Sequence, residues 1–205
     1  MHRLEAVLRG ENLMTTVTIP MTTNRAASLT RDMALILVGG CFLSLFAKIQ
    51  IPLPFTPIPL VLQDVLAISF GILFGARRGA CMVLAFLLGG ALGFPAFAGG
   101  KGGLLTLMGP TAGYLIGYLL AAFTSGWVVE RFQRKTAATA FIGFVAGSAV
   151  MFACGLTYLS TFVGFSKAIV LGFLPFIPGN LIKTILAVHL LKYLRVFGSV
   201  YNKSF

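Results

Sequence analysis

TAGYLIGYLLAAFTSGWVVE, residues 111–130, runs without a charge until Glu130 and is followed by Arg131, Arg134 and Lys135. About 20 mostly apolar residues is what a helix needs to cross a hydrocarbon core roughly 30 Å thick. Basic residues just beyond such a run mark the end that stays in the cytoplasm. Working outward, the same pattern recurs along the chain. Apolar runs precede it at about Asp32 to Ile49, Leu60 to Gly75 and Gly79 to Phe94, and another follows from about Ala137 to Val163. The last, Ala168 to Tyr193, is interrupted by Pro175, Pro178 and Gly179, so its regular helix is expected to begin near Gly179 or Asn180. The reading is an all-α, polytopic integral membrane protein with six transmembrane helices.

Composition supports this. The chain of 205 residues is 58% hydrophobic and 10% charged, with a mean hydropathy of +0.94, too apolar for a solvated surface. The formal charge of +11 raises nucleic acid as a partner, but the basic residues lie between apolar runs, where they act as topology signals. The partner they imply is the lipid bilayer, and no nucleic acid is expected. Sorted by connection, Arg25, Arg31, Arg77, Arg78, Arg131, Arg134, Lys135, Lys192, Arg195 and Lys203 fall on one side, against Lys48, Lys101 and Lys167 on the other. Both termini are therefore expected in the cytoplasm of a multi-pass protein of the cytoplasmic (inner) membrane. Residues 1–24 read as a polar cytoplasmic extension without the apolar core of a leader, and 25–205 as a single substrate-binding membrane domain. Cys41, Cys81 and Cys154 have no metal-ligand spacing, so no metal or other cofactor is expected.

Two connections on the outer side are unusual. IPLPFTPIP, residues 51–59, packs four prolines into nine residues, which forbids helix and predicts an extended loop at the membrane surface or over a cavity. PAFAGGKGGLLTLMGP, residues 95–110, holds five glycines and two prolines around Lys101. It lacks the GxxxxGK[ST] spacing of a phosphate loop. A compact lid, built from backbone that adopts positive φ, fits it better. Small residues four apart (Gly71/Gly75, Gly89/Gly93, Gly113/Gly117, Gly143/Gly147) suit close helix packing.

Ionisable residues inside apolar runs are costly and therefore informative. Asp64, Lys101 and Lys183 are expected at one depth near the outer side, with Lys183 in the first turn of the last helix and Asp64 as counter-charge to one of the two lysines. No nucleophile, base and orienter set is visible, so the chain does not read as an enzyme.

At this point the residues resemble the BioY family, the biotin-specific S-components of energy-coupling-factor (ECF) transporters. The carrying stretches are IPLPFTPIPLVLQ (51–63), GALGFPAFAGGKGG (90–103), GPTAGYLIGY (109–118) and FIPGNLIK (176–183). The resemblance implies high-affinity binding and uptake of biotin, held in a cavity open to the outer side. It places Lys183, Asn180, Tyr114 and Lys101 toward the ligand, joined by Phe97, Gln63 and Asp64. Asn180 and Tyr114 suit the ureido and ring parts of biotin, and a lysine suits its carboxylate. Asn180 stands where an acid is usual in the family, Lys101 where glycine or asparagine is common, and Leu115 where some members carry arginine. The implied partners are an ECF coupling protein and two ATPase subunits, with a homo-oligomer as the other assembly. An S-component for another vitamin, and a membrane subunit without ligand, are the alternatives.

Overall fold

The computed structural model describes residues 25–132 and 136–197, with backbone alone for 25–27 and 191–197. The expected extension at 1–24 and the topology charges Arg134, Lys135 and Lys203 lie outside the described residues, as do the side chains of Arg25, Lys192 and Arg195. Among the described residues there are seven α-helices: α1 Arg25–Phe46, α2 Gln63–Phe74, α3 Ala76–Ala91, α4 Ala112–Glu130, α5 Ala137–Val163, α6 Phe165–Gly172 and α7 Phe176–Phe197. The α6–α7 pair bends by 44° at its break and forms one broken segment, which leaves six membrane segments. By length and apolarity α1, α4 and α5 each suffice to cross a bilayer, and the bent pair makes a fourth.

The remaining two segments, α2 of 12 residues and α3 of 16, are shorter than about 20 residues. Packing explains why this is tolerated for α2, whose residues from Gln63 to Ile72 are almost all buried in protein. A buried segment need not match the bilayer thickness. Lipid-facing positions elsewhere are large and apolar, among them Leu37, Leu45, Phe123, Trp127 and Ile142, all exposed on the protein surface.

Helix α4 is the hub, packed on α2, α3 and α5, while α1 leans chiefly on α3. Close approach of α2 to α4 requires Gly71, because a Cβ there would collide with the Ala122 carbonyl and the Ser125 hydroxyl. Among the expected small-residue pairs, Gly113/Gly117 and Gly143/Gly147 do lie at helix contacts, against Tyr158 and Met151 and against Val129 and Ile68. Gly89 and Gly93 have open space around them, and Gly75 is a joint rather than a packing site. Its φ of 88° ends α2 and starts α3 directly.

Several expected boundaries move. Helix α1 ends at Phe46 rather than Ile49, and α2 begins at Gln63 rather than Leu60 because Leu60 and Val61 pair as a strand instead. Helix α3 begins at Ala76 rather than Gly79, so Arg77 and Arg78 sit in its first turn. Asp32 lies well inside α1 and not at its start, where it pairs with Arg78 at 3.2 Å. Helix α7 begins at Phe176, so Pro178 is its third residue and Lys183 falls beyond the first turn. The first backbone N–H groups of a helix have no intrahelical acceptor, so proline at that point removes nothing the helix needs.

The connection at 51–59 is irregular, as its prolines require, and is clasped at its base by a two-stranded antiparallel hairpin, β1 Gln50–Ile51 with β2 Leu60–Val61. This pair is the only β-sheet among the described residues. At the opposite end of the bundle, Glu130 Oε1 accepts from the backbone N of Ala76 at 2.8 Å, placing a carboxylate on the positive end of α3. The Asp32–Arg78 and Glu130–Ala76 contacts bring the basic ends of α1, α3 and α4 to one side, as the charge sorting requires. Arg131 stacks over Trp127 at 4.4 Å on that same side.

Candidate functional site

The outer end of the bundle contains a cavity of about 80 Å³. Its roof is the Pro-rich loop, through Pro57, Ile58 and Pro59. Its floor is the start of α2 at Gln63, and its walls are the Gly-rich loop and the outer part of α4. Gln63, Phe97, Lys101 and Tyr114, expected from the sequence, all line it.

Each is positioned by a local cause. Phe97 is 1% exposed and packs edge-on against Phe86 at 5.4 Å. The Gly-rich loop turns back on itself there: Phe97 N donates to Lys101 O at 2.9 Å, and Gly100 N to Phe97 O at 3.0 Å. Gly99, with φ of 71°, makes that tight turn possible. The turn is anchored to α3 by Gly103 N donating to Gly90 O at 2.7 Å. Phe97 is thereby buried while Lys101 stays exposed at the rim. Tyr114 lies flat over Gly155 of α5, and its hydroxyl donates to the Gly172 carbonyl at 2.8 Å. Gln63 is buried and its Nε2 donates to Leu43 O at 3.3 Å, tying α2 to α1.

Asp64 and Lys183 do not line the cavity but sit beside it as an ion pair, each side chain 11% exposed. The Lys183 ammonium donates to Asp64 Oδ2 and to the Val61 carbonyl, the latter at 3.0 Å, so α7 is bonded to the strand that clasps the roof. Asp64 Oδ1 accepts from Val65 N at 2.8 Å, which leaves neither carboxylate oxygen idle. Of the two pairings the sequence allowed for Asp64, the structure forms the one with Lys183. Asn180 also lies off the cavity, one turn before Lys183, with its Oδ1 buried and unpartnered among the described residues. Its neighbour Gly179 lies closest to Leu60 of β2.

The sequence reading overlooked Gln50, Thr106, Thr111 and Tyr118, which complete the polar lining. Tyr118 was within reach of it: four residues after Tyr114, it shares the same helical face.

The structure is that of a polytopic membrane protein with a partly polar cavity under its Pro-rich loop, and the comparisons specify the class. Residues 14–199 match the BioY family profile, and the chain belongs to that family. The biotin transporter BioY of Rhizobium etli is 38% identical over 168 residues, covering 77% of this chain and 89% of that protein. The biotin transporter BioY of Thermotoga maritima is 36% identical over 155 residues, covering 75% and 85% respectively. Among solved structures, the crystal structure of the S-component for biotin from an ECF-type ABC transporter superposes with a TM-score of 0.74 at 27% identity. It covers 82% of this chain and 93% of that one. The family is one of transport components, not of enzymes.

Proposed function

We propose that this chain binds biotin on the outer side of the cytoplasmic membrane and serves its uptake as the S-component of an ECF-type transporter. The observation that carries the reading is the convergence of Gln63, Phe97, Lys101 and Tyr114 on one cavity beneath the Pro-rich loop. Biotin combines a planar ureido group, an apolar thioether ring and a carboxylate on a flexible chain. Gln50 and Gln63 supply amide groups for the ureido edge, and Phe97 and Tyr114 supply apolar surface for the ring.

Sites for small molecules run from about 300 Å³ upward, so a cavity of about 80 Å³ must widen to admit biotin. The roof is the part able to give. It is held to α6 by the Thr56 hydroxyl donating to Leu171 O at 2.8 Å, and to α7 through Lys183. Widening toward α7 brings the unpartnered Asn180 Oδ1 within reach of the ureido N–H groups, which gives that buried acceptor its missing donor. Energy for transport comes from a coupling protein and two ATPase subunits, and a homo-oligomer is the competing assembly.

The test is biotin binding by the purified protein in detergent. Saturable one-to-one binding is expected, with a rise in Tm equivalent to about 2.7 kcal/mol at a hundredfold excess over Kd. Binding of another vitamin instead of biotin overturns the assignment. Uptake of labelled biotin by cells expressing the chain alone, then with a coupling module, separates the two assemblies.

A further inference from the structure

We infer that Lys101, and not Lys183, is the cation that receives the ligand's carboxylate. The inference rests on the biotin reading and concerns how that site recognises the acid end of its ligand. The three carboxylates among the described residues are all engaged: Asp32 with Arg78, Asp64 with Lys183, and Glu130 with the Ala76 backbone N–H. Lys183 is therefore already neutralised. Its ammonium is shared between Asp64 and the Val61 carbonyl, and both members of the ion pair are nearly excluded from solvent. A ligand carboxylate that captured Lys183 would leave Asp64 buried and uncompensated, which is the costly way to open such a pair.

Lys101 has none of these commitments. It is the sole basic residue lining the cavity, and it is exposed at the rim with no carboxylate bonded to it among the described residues. Lys48 and Lys167, the other basic residues of the outer connections, do not reach the lining. The loop also fixes where Lys101 stands relative to Phe97. Their backbones are bridged across a single glycine turn, so one short element offers a buried ring and, four residues on, a cation at the water boundary. A ligand with an apolar ring and a charged tail is matched end to end by that arrangement. The ring enters under the roof, and the carboxylate meets an ammonium without leaving water completely.

The experiment uses full-length protein and compares biotin with biotinamide, which keeps both rings and replaces the carboxylate by a neutral amide. Wild type is expected to bind biotin roughly tenfold or more tightly than the amide, as one charge-assisted contact provides. Lys101→Met removes that preference by weakening biotin alone, and Lys101→Arg retains it. The paired neutralisation Asp64→Asn with Lys183→Met also retains it. A Lys101→Met protein that still prefers biotin overturns the inference, as does wild type that binds both ligands alike. Wild type that binds neither ligand overturns the biotin reading itself, and the inference with it. Should the paired variant fail to fold, the two Lys101 variants decide alone, since that side chain is exposed and its removal leaves the core intact.

Discussion

Among the described residues, each end of this bundle holds one ion pair between a basic side chain and an aspartate, and the two pairs differ in almost everything except chemistry. At the cytoplasmic end, Arg78 and Asp32 meet at 3.2 Å with side chains 37% and 32% exposed. At the outer end, Lys183 and Asp64 are each 11% exposed, and each makes a further bond to backbone. Water competes for the first pair and screens it, so it contributes little. The second has no such alternative, and its members depend on each other. Losing one partner is therefore costly at the outer end, next to the cavity, and cheap at the cytoplasmic end, where the pair mainly marks topology.

The largest effect should come from breaking the outer pair on one side. Lys183→Met leaves the Asp64 carboxylate buried beside apolar Val65 and is expected to cost about 3 to 5 kcal/mol. Adding Asp64→Leu should recover most of that loss, because neither charge then remains. A double-mutant cycle on thermal unfolding in detergent measures the coupling. Additive effects would mean that each group reaches water independently and that the two ends are alike after all.

This asymmetry was only partly legible in the chain. The depth of Asp64 and Lys183 followed from their positions near the outer ends of apolar runs, but choosing between Lys183 and Lys101 as partner needed the packing of α7 on β2, which no local pattern encodes. Helices α4 and α5 kept their expected ends because each is bounded by polar residues: Glu130 and Arg131 close α4, and Thr136 caps α5 by accepting from Thr139 N. Helix α3 was misplaced because Arg77 and Arg78 read as loop, whereas Gly75 turns the chain so sharply that they begin the helix. Proline misled in the same way at α7. Its prohibition holds inside a helix and lapses in the first turn, where Pro178 lies.

A second, smaller test stays at the outer end but removes a neutral bond. Tyr114→Phe deletes the hydroxyl that donates to Gly172 O and keeps the ring that lines the cavity. The orphaned carbonyl is buried, so a loss of about 1 to 3 kcal/mol in unfolding free energy is expected. Because Gly172 ends α6, the same substitution should loosen the α6–α7 break, which faster hydrogen exchange of residues 170–176 would reveal. Unchanged exchange there would show that ring packing on Gly155 and Phe152, rather than the hydroxyl, holds α6 in place.

The smallest effect belongs to the cytoplasmic pair, and salt is the way to see it. Arg78→Met removes a partly exposed cation from Asp32, whose carboxylate can then turn to water, so the expected cost is at most about 1 kcal/mol. Raising ionic strength from 0.1 to 1 M shortens the screening length from about 10 Å to about 3 Å. The difference in Tm between wild type and Arg78→Met should therefore shrink toward zero over that range. The difference between wild type and Lys183→Met should persist, since ions do not enter the space between Lys183 and Asp64. Asp32 Oδ1 itself is buried without a hydrogen-bond partner among the described residues. If that oxygen relies on the nearby guanidinium for compensation, the loss in Arg78→Met will exceed 1 kcal/mol and resist salt. The two ends would then differ in degree of burial alone, and the cytoplasmic pair would hold α1 against α3 as well as mark topology.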